Sequence, residues 1–309
     1  MFPAQVPVLA GRRLLGIDPG GSGTRVVLLA GGQVTDLAPG PPMNALLTAG
    51  IAEQLEKIIR DASPDAAGIG LPGLREDLTA GFSEALRERT GCPVVVTSDG
   101  ETARSGAFLG GPGVVVIAGT GSCAVGWDGV QSARAGGRGF LLGDEGSAYW
   151  IGRQAASLAL YREDGMGGSE ALRQAVISAT GSTLEELITK VNTRPAERAV
   201  LTVLAPVVTA LAETDPSARL IAEEAADHLV TLVRAVRSRL PSSGPSSAGG
   251  TSTAGGGSSA GGPLPVAGIG GVFKSALIWD RFAAATGAVR PLASPAVGAA
   301  LLAARAAGL

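Results

Sequence analysis

The chain has 309 residues, of which 45% are apolar and 17% are charged, so it can bury a sizeable core in one large or two ordinary domains. Its 25 basic and 27 acidic residues are interspersed and give a formal charge of -2, which excludes a strong electrostatic footprint for nucleic acid or an anionic membrane. The two cysteines, Cys92 and Cys123, are too few for a disulfide framework or a cysteine metal cluster. Met1–Ala10 has no export signal, and no apolar run of about 18 residues follows, so we predict a cytoplasmic protein.

The first third of the sequence predicts a β-meander followed by alternating helices and strands. Short apolar strands are separated by Pro, Gly and Ser turns, and apolar residues then recur at helical spacing. In chain order we predict strands over 13–17, 24–29 and 33–37, a helix over 45–62, a strand over 66–70, a helix over 78–89, a strand over 93–97 and a helix over 100–108.

The pattern begins again after the glycine-rich turn 110–113, which indicates a duplication. We predict strands over 114–118 and 123–127, helices through most of 146–240, a flexible surface loop over 241–263, a strand over 264–269, and helices over 274–285 and 295–307. The last helix can return to the first domain. The fold class is therefore α/β, with a first domain over 1–111 plus 295–309, and a second over 112–294 that carries a helical insert.

The segment 15–24 (LGIDPGGSGT) is a strand that ends in an acid and a glycine-rich turn. Glycines let backbone amides converge on an anion, and the carboxylate of Asp18 suits hydrated Mg²⁺ beside a phosphate. The alternative is an ordinary β-turn, for which the glycines alone are sufficient. The acid before the turn favours the phosphate-binding hairpin.

A second segment, 114–122 (VVVIAGTGS), has the same design, with backbone amides and hydroxyls available to a phosphate. Its glycines also fit a loose dinucleotide fingerprint, but that site needs a helix after the turn, whereas 124–129 predicts a strand and another turn. A P-loop fails at Gly268–Ser275, because Phe273 stands where a glycine is required.

Three polar residues at predicted element boundaries each have two interpretations. Asp99 follows a strand and is either the N-cap of the next helix or a base that accepts the proton of an acceptor hydroxyl. Asp144, beside Glu145, either complements a helix dipole or binds sugar hydroxyls. Asn44 is by default an N-cap, and its amide could alternatively bind a substrate hydroxyl or acetamido group.

Taken in order, these segments resemble the N-acetylglucosamine kinase branch of the BadF/BadG/BcrA/BcrD ATPases, within the actin/hexokinase superfamily. The strongest match is 143–151 (GDEGSAYWI), which is similar to a signature of this kinase group. The other matching segments are 16–24 and 117–122 for the two phosphate motifs, Ser98-Asp99 for the catalytic aspartate, and 268–271 with Lys274 for the adenosine motif.

The resemblance implies two ribonuclease-H-like domains around a nucleotide cleft, with ATP and Mg²⁺ as cofactors and transfer of phosphate to the 6-hydroxyl of an amino sugar. It also implies roles for individual residues. These are Asp99 as the base; Asp18 for the metal; Gly20, Gly21, Ser22, Gly23, Thr24, Gly119, Thr120 and Gly121 for phosphates; Gly270, Gly271 and Lys274 for adenosine; and Asn44, Gly73, Asp99, Thr120 and Asp144 for the sugar.

The region 73–76 departs from the family pattern near the N-acetyl group, so glucosamine stays open beside N-acetylglucosamine. The expected partner is a small amino sugar, with no nucleic acid and no membrane; a homodimer is left open. Two other functions remain: an ATPase that activates a radical dehydratase, which needs interface cysteines, and a non-catalytic sugar or ATP sensor. The intact Asp99 and both phosphate turns favour the kinase.

Overall fold

The computed structural model describes residues 11–20, 23–43, 48, 50–74, 76–193, 195–240 and 262–309. These residues form two compact units. Unit 1 contains the residues up to Gly111 together with Ala267–Gly270 and Val289–Leu309, and unit 2 contains Pro112–Val266 and Gly271–Ala288. The predicted loop 241–263 lies outside the described residues except for its last two positions, which are exposed.

Strands and helices alternate in unit 1, and unit 2 carries most of the helices. In chain order the elements are β1 (Arg13–Gly20), β2 (Gly23–Ala30), β3 (Gln33–Asp36), α1 (Ile51–Ala62), β4 (Ala66–Gly70), α2 (Thr79–Thr90), β5 (Val94–Thr97), α3 (Asp99–Ala107), β6 (Gly113–Ala118), β7 (Ser122–Trp127), β8 (Ser132–Gly136), α4 (Ala148–Glu163), α5 (Glu170–Thr180), α6 (Leu184–Thr193), α7 (Leu204–Leu211), α8 (Pro216–Arg237), β9 (Val266–Ile269), α9 (Ala276–Thr286) and α10 (Pro295–Ala306). Short 3₁₀ helices occupy Glu76–Leu78, Pro195–Val203 and Gly271–Lys274.

The sheet of unit 1 has the order β3-β2-β1-β4-β5. Strands β1, β2 and β3 form the predicted antiparallel meander, and β4 and β5 run parallel to β1. The meander prediction is confirmed. Because β1, β4 and β5 are parallel, their carboxyl ends meet at one edge of the sheet, where ligands of such sheets usually bind.

The C-terminal helix α10 packs on β1, β4 and α3 within unit 1. Its approach depends on glycines in the strands, because a Cβ at Gly16 or Gly68 would overlap a backbone carbonyl of α10, that of Ala296 or Ala299. The helix backbone therefore lies directly on the sheet. A hydrogen bond from the Ser105 hydroxyl to the Gly298 carbonyl, 3.0 Å long, ties α3 to the same helix.

Unit 2 contains a second antiparallel meander, in which β7 pairs with β6 and with β8. Helix α8 packs on β6, β7 and β8, and α4, α5 and α7 pack together with it in one apolar core. Strand β8 was not predicted, because its five residues, SARAG, include no β-branched or aromatic side chain.

Helix α1 begins at Ile51, after Gly50 in the left-handed region at φ 65°, and not at the predicted residue 45. Residues 44–47 and 49 lie outside the described part of the chain. In the described residues no single helix is long and apolar enough to span a membrane; only the bent pair Ala199–Leu211 and Pro216–Arg237 meets that measure when taken together.

Candidate active site

Two carboxylates lie at the edge of the unit 1 sheet where the parallel strands end. Asp18 is near the end of β1, and Asp99 is the first residue of α3, directly after β5. The pKa of Asp18 is raised from 3.8 to about 7, first by burial and second by the like charge of Asp99, and Arg25 on β2 opposes the shift. Two mutually repelling carboxylates of this kind fit a divalent cation, which would relieve the repulsion.

Asp99 is not the N-cap of its helix, so that interpretation is wrong. The cap is Ser98, whose hydroxyl oxygen accepts a hydrogen bond from the Glu101 backbone N–H at 3.2 Å. The Asp99 carboxylate accepts one from the Gly100 N–H at 2.9 Å and is partly exposed. A cap that precedes Asp99 leaves most of its carboxylate available to a ligand, as a base requires.

The first predicted phosphate turn is closed by the pair Gly20 and Gly23, which face each other at the ends of β1 and β2. Gly21 and Ser22 lie outside the described residues. The buried Thr24 uses both of its donors inside unit 1: its hydroxyl donates to the Pro41 carbonyl at 2.5 Å, and its N–H donates to the Gly40 carbonyl at 3.0 Å. In this conformation Thr24 is hydrogen-bonded to the segment after β3. It has no donor left for a phosphate, contrary to the role predicted for it.

Among the predicted sugar contacts in unit 1, Asn44 also lies outside the described residues. Gly73 is exposed in the turn after β4, with φ at 77°, a conformation that favours glycine. Because β4 lies between β1 and β5, this turn follows the same carboxyl edge of the sheet as Asp18 and Asp99.

The second predicted phosphate turn, Gly119 to Gly121, rests on the first turn of α4. The carbonyls of Gly119 and Thr120 accept hydrogen bonds from the N–H groups of Ala148 and Tyr149, at 2.8 and 3.3 Å. These bonds satisfy donors that a helix start otherwise leaves unpaired. In the described residues the N–H groups of Thr120 and Gly121 have no partner, so they are available to an anion.

Asp144 lies against this turn, to which its side chain is hydrogen-bonded. It occupies the left-handed region at φ 63°, which is uncommon for a residue with a side chain. Its carboxylate accepts a hydrogen bond from the Ser122 N–H at 3.2 Å, and the Ser122 hydroxyl donates to the Glu145 carbonyl at 2.7 Å. Burial raises the pKa of Asp144; the Ser122 N–H opposes the rise and the charge of Glu145 adds to it.

The helix after this segment does not depend on Asp144 for its start. Helix α4 begins at Ala148, and its N-cap is Ser147, whose hydroxyl oxygen accepts a hydrogen bond from the Trp150 N–H at 3.1 Å. With the helix start already capped, the carboxylate of Asp144 serves the turn and can offer its second oxygen to a ligand.

A cavity of 770 Å³ in unit 2 brings together two motifs that are far apart in the sequence. Gly119 and Thr120 of the turn line it, and so do Gly271 and Lys274 of the 3₁₀ helix that was predicted to meet adenosine. Gly270, at φ 116°, precedes that helix directly. The volume lies within the range of small-molecule and cofactor sites, about 300–1,000 Å³.

The third wall of this cavity is formed by residues that no sequence pattern predicted. It comes from the helical insert, from residues around α7 and the start of α8: Thr202, Ala205, Pro206, Thr209, Ala210, Ala212, Glu213 and Arg219. Their helical periodicity indicated only a buried face, and no short motif marks them. The one signal available was charge, because Glu213 and Arg219 flank the break between α7 and α8.

Known proteins resemble the chain over nearly its full length. The model of the BadF/BadG/BcrA/BcrD ATPase family matches residues 15–303. An N-acetylmuramic acid/N-acetylglucosamine kinase of Clostridium acetobutylicum is 27% identical over 243 residues, which cover 72% of this chain and 78% of that protein. The crystal structure of a proposed N-acetylglucosamine kinase from Chromobacterium violaceum is 28% identical, covers 94% of this chain and 99% of its own, and superposes with a TM-score of 0.71.

A glucokinase of the ROK family from Streptomyces griseus, solved with glucose and AMPPNP, shares the fold at 16% identity. The match covers 95% of this chain and 99% of that one, with a TM-score of 0.56. These likenesses confirm the α/β fold class with two ribonuclease-H-like, actin-type domains, and the family match confirms the resemblance drawn from the sequence. The chain belongs to the BadF/BadG/BcrA/BcrD ATPase family.

Proposed function

We propose that the chain is an ATP-dependent kinase that phosphorylates an amino sugar, N-acetylglucosamine or glucosamine, at the 6-hydroxyl. The observation that carries the proposal is the unit 2 cavity, because the glycine turn and Lys274 line one space of nucleotide size. The Clostridium relative and the Chromobacterium structure, whose names state kinases of N-acetylated amino sugars, support the same choice.

The cavity in unit 2 binds the nucleotide. The N–H groups of Thr120 and Gly121 donate to the phosphate oxygens, and Lys274 is assigned to the adenosine. Gly270 and Gly271 let the backbone approach the adenosine closely because they carry no side chain. Apolar side chains of the helical insert exclude water from the base.

Asp18 is the residue that fits Mg²⁺, since its carboxylate is a hard oxygen ligand and is close enough to feel the charge of Asp99, which a cation would offset. An Mg²⁺ ion bound there would neutralise negative charge on the phosphates. The Asp18 carboxyl must lose its proton before it can serve as a ligand, so binding is expected to strengthen as pH rises through about 7.

Asp99 accepts the proton of the sugar 6-hydroxyl as that oxygen attacks the γ-phosphorus. A base in this position gains from being held by a capped helix start, because the carboxylate cannot rotate away with the backbone. For the sugar itself we assign Asp144, whose second carboxylate oxygen accepts from a ring hydroxyl, together with Thr120, Asn44 and Gly73 as further contacts.

The alternative role as an iron–sulfur activator finds no support in the cysteines. Cys92 is buried, and its thiol lies 3.6 and 3.5 Å from the carbonyls of Pro64 and Pro93. Burial raises the pKa of this thiol, which disfavours the thiolate that a cluster needs.

The test is transfer of phosphate from ATP-Mg²⁺ to N-acetylglucosamine or glucosamine, with the phosphorylated carbon located by NMR. Asp99→Asn should keep ATP and sugar binding while turnover falls by roughly 10² to 10⁴, the usual share of a general base. Asp280→Asn is the matched control, since Asp280 is exposed on α9 and does not line the cavity. Unchanged turnover in Asp99→Asn, or phosphate on another carbon, would contradict the assignment.

A further inference from the structure

The helix that carries Asp99 also carries a buried charge that the proposed reaction does not use. Arg104 of α3 is 1% exposed and is the largest fully buried side chain in the described part of the chain. Taking a guanidinium out of water is costly unless the group is paired and hydrogen-bonded. The partners of Arg104 therefore indicate what its charge does.

These partners lie at the two ends of α3. The Nε of Arg104 is 3.0 Å from each carboxylate oxygen of Glu101, whose side chain is 23% exposed. Its Nη1 donates to the Gly111 carbonyl at 2.7 Å. Glu101 stands in the first turn of the helix and Gly111 follows its end, so one guanidinium joins the beginning of α3 to the turn after it.

The first turn of α3, which carries Asp99, has a defined position on the sheet. The buried Thr102 donates its hydroxyl to the Asp99 carbonyl at 3.0 Å. A Cβ at Gly70 would overlap the Thr102 side chain, so the turn lies directly on the end of β4. The carboxylate of Glu101, two residues after Asp99, is the part of this turn that Arg104 holds.

The turn at the other end of α3 is also fixed. Leu109 and Gly110 both lie in the left-handed region, at φ 49° and 83°, which is uncommon for leucine. The Gly110 N–H donates to the Ser105 carbonyl at 2.8 Å. This backbone turns the Gly111 carbonyl back towards α3, where it accepts the hydrogen bond from Arg104.

The rate of a transfer reaction depends on how closely the base is held to its productive position. We propose that Arg104 is a positioning residue for Asp99, because it fastens the first turn of α3, through Glu101, to the turn that ends the helix. The proposal rests on the proposed kinase function. Neither Arg104 nor Glu101 lines the unit 2 cavity, so nucleotide binding should not depend on them.

The test is the steady-state rate of sugar phosphorylation by the double variant Glu101→Gln/Arg104→Met. This variant leaves no unpaired charge, and replacing a buried ion pair by side chains of similar volume often leaves stability unchanged. We expect kcat to fall about tenfold, with the KM values for ATP and sugar and the urea midpoint close to those of the wild type. Arg104→Lys should keep part of the rate, since an ammonium can pair with Glu101 but lacks the guanidinium fork.

The matched control is Lys57→Met/Asp61→Asn, which removes an exposed ion pair of α1 in the same unit and should keep the wild-type kcat. The decisive arm repeats the Glu101→Gln/Arg104→Met change in an Asp99→Asn background. If Arg104 acts through Asp99, its removal should lower kcat no further there.

Three results would overturn the positioning role: an unchanged kcat in the double variant, a fall in kcat that matches the loss of folded protein, or a fall of the same size without Asp99. A wild type that phosphorylates no sugar would refute the proposed kinase, and this inference with it. Wild-type phosphorylation that the double variant retains would refute the positioning role alone.

Discussion

Replacing Asp18 by asparagine should stabilise unit 1 at neutral and higher pH. The carboxyl of Asp18 has a pKa of about 7 in the folded protein, against its ordinary value of 3.8, because it is buried beside the charge of Asp99. The folded state therefore holds this proton more tightly than the unfolded state does. Asparagine keeps the shape of the side chain and removes the charge.

The direction of the pH dependence follows from these two pKa values. The stability associated with the protonated Asp18 is fully present below pH 3.8 and is lost as the pH rises through about 7. The full difference between the two values corresponds to at most about 4 kcal/mol, and partial exposure of the side chain reduces it to about 2–4 kcal/mol. Asp18→Asn should lose this part of the pH dependence and match the wild type near the acid end.

Urea unfolding at about pH 5 and about pH 8 measures the effect. Far-ultraviolet circular dichroism reports on both units, whereas Trp127, Trp150 and Trp279 all lie in unit 2, so tryptophan fluorescence serves as an internal control. Mg²⁺ should raise the stability of the wild type at the higher pH and leave Asp18→Asn unchanged. Asp280→Asn should follow the wild type throughout.

A stability difference between wild type and Asp18→Asn that is the same at both pH values would refute this reasoning. It would mean that the carboxyl titrates near its ordinary pKa and that its surroundings do not oppose the charge. An Mg²⁺ effect that survives in Asp18→Asn would separately remove Asp18 from the metal site.

Two glycine substitutions test the packing and the turn. Gly68→Ala should cost about 3 kcal/mol or more of unfolding free energy, because its Cβ would overlap a carbonyl of α10. Gly81→Ala in α2, whose Cβ would meet nothing within 4 Å, should instead increase the unfolding free energy by up to about 1 kcal/mol. Urea unfolding compares the two variants, and an equal effect would contradict the close approach of α10. Gly121→Ala places a Cβ 2.9 Å from the Asp144 carboxylate and should raise the KM for the sugar about tenfold. Gly119→Ala, whose Cβ would have nothing within 4 Å, should raise the KM less. The reverse order of the two KM values would contradict the role of Asp144.

Local patterns predicted the parts of the fold that depend on near neighbours. The meander β1-β2-β3, the strands β4 and β5, and the strand–turn–strand of β6 and β7 all follow from apolar strands bounded by turn residues. The turn Gly119 to Gly121 falls where the sequence predicts it, between β6 and β7.

Features decided by longer-range packing were missed or misassigned. Strand β8 has no β-branched or aromatic residue to mark it and is paired in antiparallel register with β7. Asp99 and Ser98 are both good caps, and only the backbone of α3 shows that Ser98 is the one in use. Glu213 joins the cavity because the helical insert packs beside α9, a contact that no sequence period encodes.

The most direct test of the kinase proposal is ADP release from ATP-Mg²⁺ in the presence of glucosamine, N-acetylglucosamine, N-acetylmannosamine, glucose or no sugar. We expect strong stimulation by one amino sugar and little release without sugar, since the acceptor hydroxyl is the nucleophile whose proton Asp99 accepts. Hydrolysis at the same rate with and without sugar, or no hydrolysis with any of them, would contradict it.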